Sequence, residues 1–423
     1  MYRICKIPLL IVLIWVVLLF CMSIHKNLIK LGNFQKMKKI FIFSTFFLAL
    51  LAGCEKAPNT KVSTNIPVTE STGKYVINPQ FDMAIDFSEG LAEFLVGDWG
   101  DGKWGYINKE AKIVINPQFA FTDKFSEGLA AVQFGNRKNG QWGYIDKDGK
   151  VIVNPQFTKA RTFKNNLAAV QIGDDKTGKW GYIDKTGKLV INPQFDDALE
   201  FKDGMAPIKL GSKSDGLWGF IDKDGKIVIN PQFSTDHFFS DFYKKQEQFH
   251  EGLAAVKIGN TKDSKYGFIN KDGKIVINPQ FDEASSFNEG LASIRIGDSK
   301  TGKHGFINKE GKIVINPQFD SVGKFSEGLA LVRIGDWSTG KRGFIDKTGN
   351  MVINPQFINA KNFMAGLAAV QIGDDKTGKW GYIDKTGKLV INPQFDDANS
   401  YEENLARVRI GDWKTGKSGF IGR

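Results

Sequence analysis

The chain has 423 residues, 42% of them hydrophobic and 12% aromatic, with 46 glycines against 13 prolines. So many apolar residues and turn formers exclude a disordered or collagen-like chain. The formal charge of +11 would ordinarily suggest a nucleic-acid partner, but seven basic residues (Arg3, Lys6, Lys26, Lys30, Lys36, Lys38 and Lys39) fall in residues 1–53, which hold no acid, leaving +4 for the rest. There the signs alternate, as in Asp174-Asp175-Lys176-Thr177-Gly178-Lys179, so the charges read as a solvated surface and no nucleic acid is expected as a partner.

In chain order, the first feature is an apolar run from Ile7 to Ile24, about long enough to span a bilayer. Residues 1–36 read either as an over-extended start upstream of Met37 or as an extra apolar anchor. Residues 37–53 then carry the three parts of an export signal: the basic Met37-Lys38-Lys39, a short apolar segment, and small residues before a cut. Leu51-Ala52-Gly53-Cys54 resembles the bacterial lipobox. The resemblance implies diacylglyceryl attachment to the Cys54 sulfur, cleavage just before it, and a membrane lipid anchor at the bacterial cell envelope. Residues 54–73 are polar and aperiodic, as expected of a flexible tether. The other cysteines, Cys5 and Cys21, precede this point, so disulfides, thiolate zinc sites and a cysteine nucleophile are excluded from the body of the protein.

From residue 74 to 423 one motif recurs. Asn-Pro-Gln-Phe occurs nine times, with prolines at 79, 117, 155, 193, 231, 279, 317, 355 and 393, spaced by 38 except for one step of 48. A second element, in which Gly-Tyr-Ile or Gly-Phe-Ile follows a variable residue, also occurs nine times, starting at Trp104, Trp142, Trp180, Trp218, Tyr266, His304, Arg342, Trp380 and Ser418. A third, typified by Glu127-Gly128-Leu129-Ala130, has nine copies as well. Each unit reads as three short β-branched strands bounded by Gly, Asp and Asn, with no sustained helical period. The second and third are joined by a tight hairpin in which a glycine (149, 187, 225, 273, 311, 349 or 387) takes the left-handed position, replaced in the first unit by Ala111. The proline belongs at a strand end or a sheet edge, and the phenylalanine two residues on is a natural core plug.

These residues resemble the WG-repeat family: a Trp-Gly-Tyr-Ile core, a downstream Asn-Pro-Gln-Phe segment and an upstream Gly-Leu-Ala, over residues 74–422. The resemblance implies bacterial β-rich repeats, often exported. The fold expected is all-β, nine three-stranded repeats in a closed or nearly closed propeller-like ring, with an open β-solenoid as the alternative. Closure is favoured because Lys74 to Phe81 supplies a third strand lacking the first two, whereas the last unit ends at Ile421 without one. Nine blades exceed the usual four to eight.

Little in the body points to chemistry. Residues 167–198 and 367–398 are identical, a poor setting for a unique catalytic residue. The three histidines after the leader, His237, His250 and His304, lack a partner cluster, and Asp146-Lys147-Asp148-Gly149 lacks the alternating acids of a calcium loop. No catalytic residue, metal or cofactor is expected. Two features stand out as candidate ligand-binding residues. One is the ten-residue insertion near 234–248, with Phe238, Phe239, Phe242 and Tyr243; the other is tryptophan in the hairpin loops of units one, seven and nine, Trp99, Trp337 and Trp413. The expected role is a non-enzymatic scaffold that binds an envelope or surface protein, with glycan or cell-wall binding through the loop tryptophans as the second reading and an enzyme as a distant third.

Overall fold

The computed structural model describes residues 73–212, 215–234, 248–259, 264–374 and 376–423. The described body is built from nine small antiparallel sheets, the blades of a closed ring. Blade 1 shows the plan: an inner strand Met83–Ala84, a second strand Leu91–Val96, a third Lys103–Asn108 and an outer strand Ile113–Phe119, each hydrogen-bonded to the next. The last three are those expected from sequence. The short inner strand is an addition in blades 1–4 and 6–9, and blade 5 has three strands among the described residues. The inner strand has two residues in blades 1–4, 6 and 8, too few to produce an alternation signal, whereas in blades 7 and 9 it has six.

The outer strand explains the repeat's most regular residues. In Ile113–Phe119 the third and seventh residues, Ile115 and Phe119, are buried and the proline lies between them on the free edge, where its missing N–H costs no ladder bond. The edge crosses close over the third strand, with a register break between Trp104 and Tyr106. A Cβ on Gly105 would lie 2.5 Å from the Ile115 carbonyl oxygen, and the same approach of 2.3–2.6 Å recurs at all nine equivalent glycines, Gly419 included. The glycine is therefore required at every copy. The tryptophan before it is replaced four times.

Blades join through a repeated aromatic contact. Tyr106 meets Phe125 edge-on at 4.8 Å, Phe220 meets Phe249 at 4.9 Å, and the series ends with Phe420 against Phe87 at 4.8 Å, the last blade on the first. Where the first ring is tyrosine its hydroxyl donates to the next blade's inner segment, as from Tyr106 to the Asp123 carbonyl at 2.7 Å. Closure is covalently discontinuous. The ninth sheet consists of Asp397–Glu402, Leu405–Ile410 and Lys417–Gly422 from the end of the body and Tyr75–Phe81 from its start. The closed ring is thus the correct alternative, and the solenoid is not.

The antiparallel order places the loops between second and third strands on one face, here called upper, and the inner turns and outer hairpins on the lower face. The lower face carries a ring of cross-blade clasps. Glu89 accepts backbone N–H bonds from Glu127 and Gly128 of blade 2 at 2.5 and 2.9 Å, and Lys147 of that blade lies 3.3 Å from the same carboxylate. These donors outweigh partial burial and hold the Glu89 carboxyl below its ordinary value. Glu127, Glu251, Glu289, Glu327 and Glu403 repeat the ion pair with Lys185, Lys309, Lys347, Lys385 and Lys109. The position is Ala365 in blade 8. Its lysine partner would lie in a hairpin between the third and outer strands of blade 9, but there the outer strand is Tyr75–Phe81, which no hairpin joins to Lys417–Gly422. At such exposure each pair contributes about 1 kcal/mol at most.

The hairpin glycines are left-handed, for example Gly149 at φ +81°, and Ala111 adopts the same conformation at φ +63°. Its side chain packs against the cluster of Ile77, Phe81 and Phe420 that seals the ring. Ala111→Gly should therefore raise stability by about 0.5–1 kcal/mol, the backbone relief being partly offset by the lost methyl contact. An unchanged or lower midpoint in urea would refute this.

Candidate binding face

On the upper face, each loop opens with a left-handed glycine and an aspartate or its substitute. In blade 7 the Asp336 carboxylate accepts from the Ser338 and Thr339 amides, both at 2.8 Å, and in blade 9 Asp412 accepts from Lys414 and Thr415 at 2.7 and 2.8 Å. The hydroxyl and amide bonds hold the Asp336 carboxyl well below the usual carboxylate range. Such a turn holds its backbone from within and leaves the residue after the aspartate pointing outward. That residue is Trp337 or Trp413, 79% and 74% exposed.

Trp99 occupies the same position in blade 1 but is 51% exposed. It leans on Trp104 and Phe121, edge-on at 6.2 and 6.0 Å, under the Arg137 guanidinium at 4.8 Å. The ring places the three tryptophans on blades 7, 9 and 1, on one face and one arc, without ring contact between them among the described residues. Phe238, Phe239, Phe242 and Tyr243 lie outside the described residues, as do Cys54 and the lipobox residues Leu51, Ala52 and Gly53.

Arginines accompany the tryptophans, and the sequence reading missed them. Arg333 lies 4.9 Å from the Trp337 ring, and Arg409 donates to the Trp413 carbonyl at 2.8 Å. Arg333 and Arg409 occupy one position of the second strand, where the other units carry Leu95, Gln133, Gln171, Lys209, Lys257, Arg295 and Gln371. This position faces, across the ladder, the residue that is tryptophan in the family motif: Gln171 faces Trp180, Arg295 faces His304, Arg333 faces Arg342 and Arg409 faces Ser418. All four units lacking the tryptophan have arginine or lysine opposite, a correlation that aligning the units would have exposed.

Two clefts open on this face. One, about 490 Å³, lies between the loops of blades 1 and 2, lined by Gly100, Lys103, Arg137 and Asn139 among others. The second, about 380 Å³, lies at the seam between blades 9 and 1 and is rimmed by Trp413. Neither holds converging acids. Among the described residues no group of three or more His, Cys, Asp or Glu side chains could hold a metal ion. His304 is partly buried, which holds its imidazole below the ordinary value, with Arg295 and Arg333 adding to this against Glu283.

Nine small antiparallel sheets around an axis, eight of them four-stranded among the described residues, with blade 9 closed by strands from both ends of the body, define a nine-bladed β-propeller. Its repeats match the WG containing repeat at residues 70–98, 104–137, 142–176, 180–213, 218–241, 266–299, 305–336, 343–376 and 380–412, and the chain belongs to that family. Solved structures with a similar fold include a eukaryotic initiation factor, 10% identical over 76% of this chain and 89% of that one, with a TM-score of 0.52. Others are prolyl oligopeptidase B from Galerina marginata (12% identical, 80% and 56% covered, TM-score 0.41) and the β-propeller domain of the Trilobed protease from Pyrococcus furiosus (12%, 75% and 100%, TM-score 0.36). The first likeness is one of fold alone, and the two weaker ones carry no argument about function. No curated protein matches the chain in sequence.

Proposed function

We propose that this propeller is a non-enzymatic binding module, held at the bacterial cell envelope by a lipid on Cys54, that presents its upper face to a protein partner. The observation that carries the reading is the pairing of exposed Trp337 with the buried Arg333 beneath it, on a face that also exposes Trp413. Tryptophan and arginine are the side chains that most often dominate protein interfaces. Aromatic side chains beside Asp and Lys also suit sugar rings, so glycan binding by the same tryptophans is the second reading.

Replacing Trp99, Trp337 and Trp413 together with alanine should reduce capture of a cross-linked envelope partner more than tenfold. The melting midpoint should move by only a few degrees, because exposed substitutions are usually within about 0.5 kcal/mol each. Undiminished capture by the triple variant would remove this face from consideration, and saturable binding on a carbohydrate array would favour the glycan reading. Metabolic labelling with a fatty-acid analogue tests the anchor: Cys54→Ala should abolish incorporation.

A further inference from the structure

We propose that the cleft at the seam of the ring, between blades 9 and 1, binds the flat aromatic side chain of a protein partner, stacked on the Arg409 guanidinium. The inference rests on the reading of the upper face as a binding face and names the chemistry of one contact within it. Three observations converge on it.

The first is what the equivalent places contain. In units that keep the family tryptophan, its ring is wedged between blades against the inner strands: Trp104 lies 6.1 Å from Phe121 of the following blade, and Trp180 lies 4.9 Å from Arg161 of its own. Trp104, Trp180, Trp218 and Trp380 are buried, and Trp142 is partly buried. In blade 9 the residue is Ser418, and the positions corresponding to Phe121 and Arg161 are Met83 and Asn399. Both line the cleft of about 380 Å³, together with Ile85, Arg407, Arg409 and Trp413. A site filled by an indole elsewhere in the ring is thus open here, at a volume within the range of ligand pockets.

The second is the floor. Arg409 lies across the buried Ser418, donating to its hydroxyl at 3.3 Å, to the Asp82 carbonyl at 2.8 Å, and to the carbonyls of Asp412 and Trp413 at 3.1 and 2.8 Å. Its guanidinium is fixed in the plane of these bonds, so what it can still offer is a face. A held guanidinium face attracts an aromatic ring.

The third is that no ring of the described residues occupies this face, where Arg409, 9% exposed, meets the cleft. In the other two tryptophan–arginine associations on the arc the ring already sits over the cation, Trp337 with Arg333 and Trp99 with Arg137. Among the described residues no ring lies over Arg409: Trp413 meets it only through its carbonyl and leaves its own indole 74% exposed. An incoming aromatic side chain would stack on Arg409, with Met83 and Ile85 on one side and Trp413 at the mouth.

The test uses the mature chain with N-acetyl-tryptophanamide as probe and N-acetyl-leucinamide as the apolar non-aromatic control, read by saturation-transfer NMR. Saturable binding of the first, at least tenfold weaker or absent for the second, is expected. Ser418→Trp restores the family residue and should abolish the signal. Because that substitution must displace Arg409, Ile85→Trp, at an exposed lining position, serves as the second blocking variant and should weaken binding at least tenfold with an unchanged circular dichroism spectrum. Lys176→Ala, in the exposed loop of blade 3, should leave it unaltered. Equal binding of the two amides, no binding by the wild-type chain, or full binding by a folded Ile85→Trp variant would overturn the inference. Partner capture that still depends on Trp99 and Trp337 would then leave the broader reading standing.

Discussion

Deleting residues 74–81 should open the ring, lowering the melting midpoint by more than about 10 °C and raising the radius of gyration in small-angle scattering. The deleted strand Tyr75–Phe81 is the outer strand of blade 9, paired to Lys417–Gly422 with Ile77 opposite Phe420 and Phe81 opposite Ser418. Ile77 and Phe81 are buried in a cluster with Ala84, Phe87, Phe94 and Phe420, which draws on both ends of the body. Point changes should show the same effect in miniature. Phe81→Ala should cost about 3–5 kcal/mol and Ile77→Ala about 2–5, since each leaves a cavity in a packed core. The cost should be mirrored at no surface position of the same blade. A deletion variant that melts and scatters like the parent would mean that the ring is held shut by the aromatic and carboxylate contacts without its clasp.

The second large effect is expected at Glu93. This carboxyl lies in the second strand of blade 1, facing Tyr106, where four other units carry alanine (Ala131, Ala169, Ala255 and Ala369) and the rest Pro207, Ser293, Leu331 and Arg407. It is buried, its Oε2 atom has no hydrogen-bond partner, and burial, reinforced by the nearby Asp123, pushes its pKa up to about 8. A carboxyl whose folded pKa lies above its unfolded value binds its proton more tightly when folded. Folding is therefore unaffected by the charge below about pH 4.5, and stability falls as pH rises from there toward 8. Glu93→Gln keeps the shape and removes the charge, so it should stabilise the protein by about 3–4 kcal/mol near pH 7.4 and by almost nothing at pH 4. Equal midpoints for the two proteins at pH 8 would show that Glu93 is ionised at no cost, through a partner or a path to water.

Most of the architecture was legible because it is written nine times. Nine glycines at the same offset announce a steric requirement, met here by an outer strand crossing 2.3–2.6 Å from where a Cβ would stand. The orphan third strand at 74–81 and its missing counterpart after Ile421 gave the clasp, since a sheet edge left incomplete at both ends of an array can be satisfied by joining them. The inner strand escaped notice because in six blades its two residues show no period and because its positions vary freely, from Met83 to Phe121, Lys159 and Asp197. The candidate site was half legible. Trp337 and Trp413 stood out as apolar residues in polar loops, but Arg333 and Arg409 sit in strands where a long basic side chain reads as an ordinary outward-facing residue. Only the cross-strand register brings Arg409 over Ser418.

The clasp also decides how the body would respond to tension. Any pull transmitted along the chain from before Tyr75 enters the ring at the first residue of the clasp strand, opposite Ile421. Directed along that strand, the load is shared by the whole ladder in shear and must also drag Ile77 and Phe81 from their packing. Directed outward from the rim, it would peel the bonds one at a time. A body tethered through this end is therefore mechanically anisotropic, strong when hung along its blade edge and weak when tugged sideways.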